Sequence, residues 1–140
     1  MRKIEHLGIA VNNLKEANEL YTKLLGVEPY KQESVEREGV TTSFFKIGES
    51  KIELLEASNP ASPIAKFLEK RGQGIHHIAY AVDDIKAEMK RLQDEGFVLL
   101  SDEPKPGADG KVVVFLHPKS SGGVLVELCM DQDKYVGFKK

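Results

Sequence analysis

The chain contains one pattern of alternating apolar and polar residues twice. The segment HLGIAVNNLK at 6–15 reappears as HIAYAVDDIK at 77–86, so that His77 is the counterpart of His6. Alternation with a period of two predicts a strand, and the apolar residues that follow at helical spacing predict a helix that ends at a glycine. Asn13 and Asp84 are the expected N-caps of these helices. The sequence is therefore predicted to be an internal duplication.

Three short β-like runs follow each helical stretch. They cover 27–32, 41–47 and 51–55 in the first copy, and 97–100, 112–116 and 124–129 in the second. Each copy thus predicts a βαβββ module, at about 3–57 and about 74–131, with a connecting helix at about 62–71. Because one helix cannot cover the sheet of either module alone, we expect a single α+β domain of two tandem modules over residues 1–140.

The two faces of the first strand in each copy differ in side-chain size. One face carries His6 in the first copy and His77 in the second, and its other residues are only glycine and alanine. The opposite face carries larger apolar residues and suits packing under the helix. Each imidazole therefore has space beside it for an ion or a ligand. His76 lies on the opposite face, so we expect it to pack rather than to replace His77 as a ligand.

A carboxylate is repeated in the last strand of each copy. Glu53 and Glu127 both interrupt apolar runs, and their spacing along the chain is close to that of the two histidines. Either glutamate alone would be expected to face solvent, but a buried carboxylate must be paired or coordinated. Two histidines and two glutamates form an N2O2 ligand set that suits Co, Ni, Mn, Fe, Zn or Mg. An octahedral ion would keep two open positions for chemistry.

Composition and charge limit the remaining function classes. The 140 residues are 41% hydrophobic and 30% charged, which is typical of a folded chain. A net charge of -2 gives no positive field for nucleic acid, and no apolar run is long enough to span a membrane. The N-terminus lacks the apolar stretch of a signal peptide, so we expect a cytoplasmic protein. Cys129, in an apolar run, is expected to be a buried thiol rather than a nucleophile.

The chain resembles the vicinal oxygen chelate superfamily and, within it, the methylmalonyl-CoA epimerases, over about residues 4 to 130. The resemblance is carried by the motifs IEHLGIA (4–10), GIHHIA (74–79), DEPK (102–105) and HPK (117–119) with GVLVEL (123–128). It implies a curved mixed sheet around a metal cleft and a homodimer that acts on an acyl-CoA. It also implies a divalent ion (Co, Ni, Mn, Mg or Zn) held by His6, Glu53, His77 and Glu127.

The same resemblance implies epimerisation at C2 of methylmalonyl-CoA through an enolate. Glu127 is the expected proton-transfer group, and Glu53 or a water on the ion is the candidate for the opposite side. Thr42 stands where some epimerases carry a second glutamate, and a hydroxyl is a poor base at neutral pH. Lys119 and Ser120, in the segment HPKSSGG (117–123), are candidates for substrate binding together with Thr42. A plain turn is an equally good interpretation of that segment.

Three other functions fit the same architecture. One is a glyoxalase I-type lactoylglutathione lyase, and another is a metal-free binding protein of the bleomycin-resistance type. Four candidate ligands argue against the metal-free protein. An extradiol-type dioxygenase is disfavoured because the fourth ligand would occupy a position that oxygen or substrate needs.

Overall fold

A computed structural model describes residues 1–138 and contains two compact units. The first unit runs from His6 to His76, and the second combines Met1–Glu5 with the chain from His77 onward. Each unit contains one of the two predicted βαβββ arrangements, which confirms the α+β class. The prediction that they form one domain over 1–140 stays a prediction, and its last two residues lie outside the described chain. Within residues 1–138, no helix is long and apolar enough to cross a membrane.

The first unit is a four-stranded mixed sheet with two helices. Its elements are β1 (Lys3–Ala10, in this unit from His6 onward), α1 (Leu14–Leu25), β2 (Lys31–Val35), β3 (Val40–Ile47), β4 (Ser50–Ala57) and α2 (Pro63–Arg71). The strand order is β2-β3-β4-β1, with β1 parallel to β4 and the other pairs antiparallel. Ser62 caps α2 through its side chain, as the sequence predicts for the connecting helix.

The second unit repeats this arrangement with a shorter edge. Its elements are β5 (Gly74–Ala81, in this unit from His77 onward), α3 (Ile85–Asp94), β6 (Lys105–Pro106), β7 (Lys111–Leu116) and β8 (Val126–Asp131). The strand order is β5-β8-β7-β6, with β5 parallel to β8 and the other pairs antiparallel.

Two predicted strands differ from those observed, and proline explains the first difference. The run at 27–32 contains Pro29, and β2 begins only after it, at Lys31. The run at 97–100 makes a single bridge, and the edge strand is the two-residue β6 beside Pro104. Proline has no N–H to donate to a ladder, so it shortens or displaces edge strands.

Helices α1 and α3 pack on the strand faces that the sequence assigned to them. In the first unit α1 buries Leu14 and Ala17 against a core that includes Phe45 and Leu54, with Leu7 and Ile9 packed at its edge. In the second unit the core contains Ile85, Met89 and Leu92 of α3 together with Val112, Val114 and Leu128 of the sheet. The opposite face of each sheet, which carries the histidine, is therefore not covered by α1 or α3.

The start of each helix is held by equivalent hydrogen bonds. The Asn13 side chain accepts from the amide of Glu16 at 3.0 Å, and that of Asp84 accepts from the amide of Ala87 at 3.1 Å. The first backbone amide of α1 and of α3 also donates a hydrogen bond to a side chain near the end of the last strand of its unit. The amide of Leu14 donates to Glu56 Oε2 at 2.8 Å, and that of Ile85 donates to Met130 Sδ at 3.4 Å.

We expect alanine at either cap, Asn13→Ala or Asp84→Ala, to lower the free energy of unfolding by about 1 kcal/mol. Each substitution removes the acceptor for an amide in the first turn of the helix. Urea denaturation followed by circular dichroism measures the effect. Asn12→Ala is the control, and it should change stability less. An equal loss for Asn12→Ala would contradict the capping role of Asn13.

Candidate active site

In the first unit, His6 and Glu53 lie side by side on neighbouring strands. Glu53 of β4 is opposite Gly8 of β1, two residues after His6 on the same face. Because Gly8 has no side chain, the Glu53 carboxylate can lie beside the imidazole, and Nδ1 of His6 is 3.1 Å from Oε2 of Glu53. The two residues are only 3% and 7% exposed. Burying a polar side chain away from water is costly unless it is paired or hydrogen-bonded. Here the imidazole and the carboxylate are partners for each other.

The second unit contains the equivalent pair. Glu127 of β8 is opposite Ala79 of β5, two residues after His77. Nε2 of His77 is 3.0 Å from Oε1 of Glu127, and each residue is 5% exposed. The duplication in the sequence therefore brings one histidine and one glutamate together in each unit.

The spacing within each pair fits coordination of a divalent ion. Two ligand atoms at adjacent positions of an octahedral ion, each bonded at about 2.1 Å, lie about 3.0 Å apart. The separations of 3.1 and 3.0 Å match this distance. His6 and Glu53 belong to one group of side chains that could hold a metal ion, and His77 and Glu127 belong to another. The ligand types are imidazole and carboxylate without thiolate, which suits a catalytic ion better than a closed structural zinc site.

A phenylalanine accompanies the glutamate in each unit, a repeat that was not predicted from the sequence. Phe44 of β3 is opposite Glu53, and Phe115 of β7 is opposite Glu127. The two phenylalanines are as far apart along the chain as His6 and His77 are. The ring of Phe115 meets that of His77 edge-on, with centroids 5.6 Å apart. These rings give each carboxylate an apolar neighbour, and a search for further pairs at the spacing of the histidines would have found them.

The residues that precede the histidines are also equivalent positions of the repeat. Glu5 comes directly before His6, and His76 comes directly before His77. Glu5 is 4% exposed, a buried carboxylate that strand alternation did not predict. His76 packs its ring edge-on against Phe67 of α2, with centroids 5.0 Å apart. This packing contact agrees with the expectation for His76.

The segment 117–123 forms a tight turn that uses most of its own polar groups. The Lys119 amide donates to Nδ1 of His117 at 3.1 Å, and the Ser120 amide donates to the His117 carbonyl at 2.9 Å. The Ser120 hydroxyl donates to that carbonyl and accepts from the amide of Val98. The backbone amides of Lys119 and Ser120 therefore already have acceptors within the turn. The ammonium group of Lys119 is on an exposed side chain and could still bind substrate.

Thr42 and Cys129 are both buried on the histidine-bearing faces. Thr42, 2% exposed, lies opposite Leu55 in the first unit. Cys129, 0% exposed, lies two residues after Glu127, and its thiol is 3.7 Å from the carbonyl oxygen of Tyr80. Its burial confirms the expectation of a structural thiol.

Comparison with known proteins identifies relatives across most of the chain. Residues 5–115 match the family described as the Glyoxalase/Bleomycin resistance protein/Dioxygenase superfamily, in agreement with the expected fold. The chain is 48% identical over 128 residues to the ethylmalonyl-CoA/methylmalonyl-CoA epimerase of Cereibacter sphaeroides, covering 90% of this chain and 96% of that protein. It is 46% identical to the mitochondrial methylmalonyl-CoA epimerase of Dictyostelium discoideum, covering 90% and 76%.

Solved structures of epimerases share the fold. A methylmalonyl-CoA epimerase in complex with methylmalonyl-CoA and an ammonium ion superposes with a TM-score of 0.90 at 37% identity, covering 94% of this chain and 95% of that one. The methylmalonyl-CoA epimerase of Mycobacterium tuberculosis has a TM-score of 0.88 at 34% identity, covering 92% and 87%. The identities of 46% and 48% to curated epimerases extend over 90% of the chain, so the chain resembles these proteins in sequence as well as in fold.

Proposed function

Because the chain belongs to the glyoxalase/bleomycin resistance protein/dioxygenase superfamily, we propose that it interconverts the two C2 epimers of methylmalonyl-CoA. The observation that carries the proposal is the buried His–Glu pair in each duplicated unit, with His–Glu separations of 3.1 and 3.0 Å. These pairs occur in a chain that is 48% identical to an epimerase over nine tenths of its length. The acidity of C2, which lies between a thioester and a carboxylate, makes proton transfer the natural chemistry.

A single divalent ion is proposed to be held by His6, Glu53, His77 and Glu127. The ion would be Co, Ni, Mn, Mg or Zn, since all of these accept imidazole and carboxylate ligands. When bound, it would stabilise the negative charge that develops on the substrate oxygens, an effect worth several kcal/mol. The family resemblance and the duplicated pairs support this assignment.

Glu127 is the proposed proton-transfer group. Its carboxylate takes the C2 proton, the C–H bond breaks, and the electron pair moves into the thioester to form a planar enolate. His77, 3.0 Å away, holds the carboxylate in one orientation. The ring of Phe115, opposite Glu127 on the neighbouring strand, gives the carboxylate an apolar neighbour. The configuration at C2 is lost when the enolate becomes planar.

The remaining proposals concern residues near the substrate, the oligomeric state and the location of the protein. Lys119 is proposed to bind an anionic group of the acyl-CoA through its ammonium, while Ser120 shapes the turn and Thr42 lines the histidine-bearing face. A cytoplasmic homodimer is proposed from the family resemblance. Neither the dimer nor the location enters the chemistry described above.

An assay of one metal-loaded sample on two substrates tests the proposed function. We expect epimerisation of methylmalonyl-CoA and no isomerisation of the glutathione hemithioacetal of methylglyoxal. Ethylmalonyl-CoA is the natural third substrate, because the name of the Cereibacter relative includes it. Turnover of the hemithioacetal alone would favour a glyoxalase I-type lyase. Ligand binding without any turnover would favour a binding protein.

A further inference from the structure

The aromatic ring of Phe115 lies beside the His–Glu pair of the second unit. Phe115 of β7 is directly opposite Glu127 of β8, and opposite residues of antiparallel strands point to the same side of the sheet. Its ring meets the His77 imidazole edge-on, with centroids 5.6 Å apart and an interplanar angle of 80°. This is the geometry of a favourable edge-to-face pair of rings. Phe115 is therefore a neighbour of both members of the pair.

Phe115 is itself supported by residues on the same face of the second unit. It packs against a buried cluster that is formed by Ala79, Val113 and Cys129. Val113 is two residues before Phe115 on β7 and lies directly opposite Cys129 of β8. Ala79 and Cys129 are each 0% exposed. Because close-packed interiors leave side chains little room to move, this cluster holds the phenyl ring in one place.

The contact between histidine and glutamate does not by itself select one orientation of the imidazole ring. In the first unit Nδ1 of His6 is 3.1 Å from Glu53, whereas in the second unit Nε2 of His77 is 3.0 Å from Glu127. Equivalent positions of the repeat thus present different ring nitrogens to the carboxylate. The torsion that turns a histidine ring also has broad energy minima. A second contact narrows this range, and for His77 the ring of Phe115 makes such a contact.

We infer that Phe115 is a positioning residue for Glu127, and the inference rests on the proposed function. Its ring fixes the plane of the His77 imidazole, and the imidazole in turn fixes the carboxylate. A general base must lie within about 2.6–3.2 Å of the atom whose proton it takes, and a misplacement of about 1 Å can lower a rate about 100-fold. Phe115 has no group that accepts a proton, so it acts only through its two neighbours.

The variant Phe115→Leu tests this role because it keeps an apolar side chain and removes the aromatic ring. We expect kcat for epimerisation of methylmalonyl-CoA to fall about 10- to 100-fold, with KM within about threefold of wild type. The affinity for Zn²⁺, measured by competition with a chelator, should also fall about 10- to 100-fold, since His77 is a proposed ligand. Phe115→Tyr keeps the ring, so it should retain kcat and zinc affinity within about threefold of wild type.

Phe97→Leu is the matched control, because Phe97 packs against the helix-side core of the same unit. It should lower the thermal unfolding temperature about as much as Phe115→Leu does, while kcat and zinc affinity stay close to those of wild type. An unchanged kcat or an unchanged zinc affinity in Phe115→Leu would overturn the inference. Equal losses in Phe97→Leu or Phe115→Tyr would also overturn it. A wild-type holoenzyme that does not epimerise methylmalonyl-CoA would instead overturn the proposed function, and the inference with it.

Discussion

Replacement of His6 by alanine is expected to abolish metal binding and epimerase activity together. The substitution removes one of four proposed ligands and leaves the Glu53 carboxylate buried without its neighbour at 3.1 Å. Loss of a group that only orients a ligand already costs about 10- to 100-fold in metal affinity, so loss of a ligand should cost more than about 100-fold. Elemental analysis of the folded protein, with kinetics on methylmalonyl-CoA, measures both effects.

His76→Ala is the matched control, since it changes the adjacent histidine of the second copy. His76 packs against Phe67, so its removal should lower stability by about 1 kcal/mol and leave the metal content near that of wild type. Loss of metal in His76→Ala with retention in His6→Ala would contradict the assignment of ligands from strand faces.

Glu127→Gln is expected to stop C2 proton exchange with a loss of about 100- to 10,000-fold in kcat. An amide oxygen can still occupy the position beside His77, but it cannot accept a proton at neutral pH. The measurement is the rate at which solvent deuterium enters methylmalonyl-CoA, followed by mass spectrometry. Because the substitution is nearly isosteric, the thermal unfolding temperature should change little compared with the rate.

Glu56→Gln provides the same chemical change outside the site. Glu56 accepts a hydrogen bond from the first amide of α1, and the glutamine oxygen can replace it. Its exchange rate should stay close to that of wild type. Near-normal exchange in Glu127→Gln would remove Glu127 from the proton-transfer role.

The features that could be predicted from the sequence are those set by local chemistry and by the repeat. The caps at Asn13 and Asp84 depend on one side chain and an amide three residues away, so their patterns are sufficient. Strand alternation places His6 and His77 on the faces opposite α1 and α3. The assignment is reliable because a shift of one residue in register would move all the apolar side chains of the strand away from the core. The repeated spacing also marked Glu53 and Glu127 as the carboxylates to consider together with the two histidines.

The features that could not be predicted depend on register and on contacts distant in sequence. Phe44 and Phe115 become neighbours of the glutamates only through antiparallel pairing, which the sequence does not specify residue by residue. The amides of the turn at 117–123 are used because the side chain and carbonyl of His117 accept from them.

The most direct test of a metal-dependent epimerase is deuterium incorporation at C2 of a single methylmalonyl-CoA epimer in heavy water, before and after removal of bound metal. We expect the holoenzyme to incorporate deuterium as the epimers equilibrate, chelation to stop both processes, and a divalent ion to restore both. Equal rates before and after chelation, with metal loss verified by elemental analysis, would contradict this expectation. So would a metal-loaded protein that leaves the C2 proton in place.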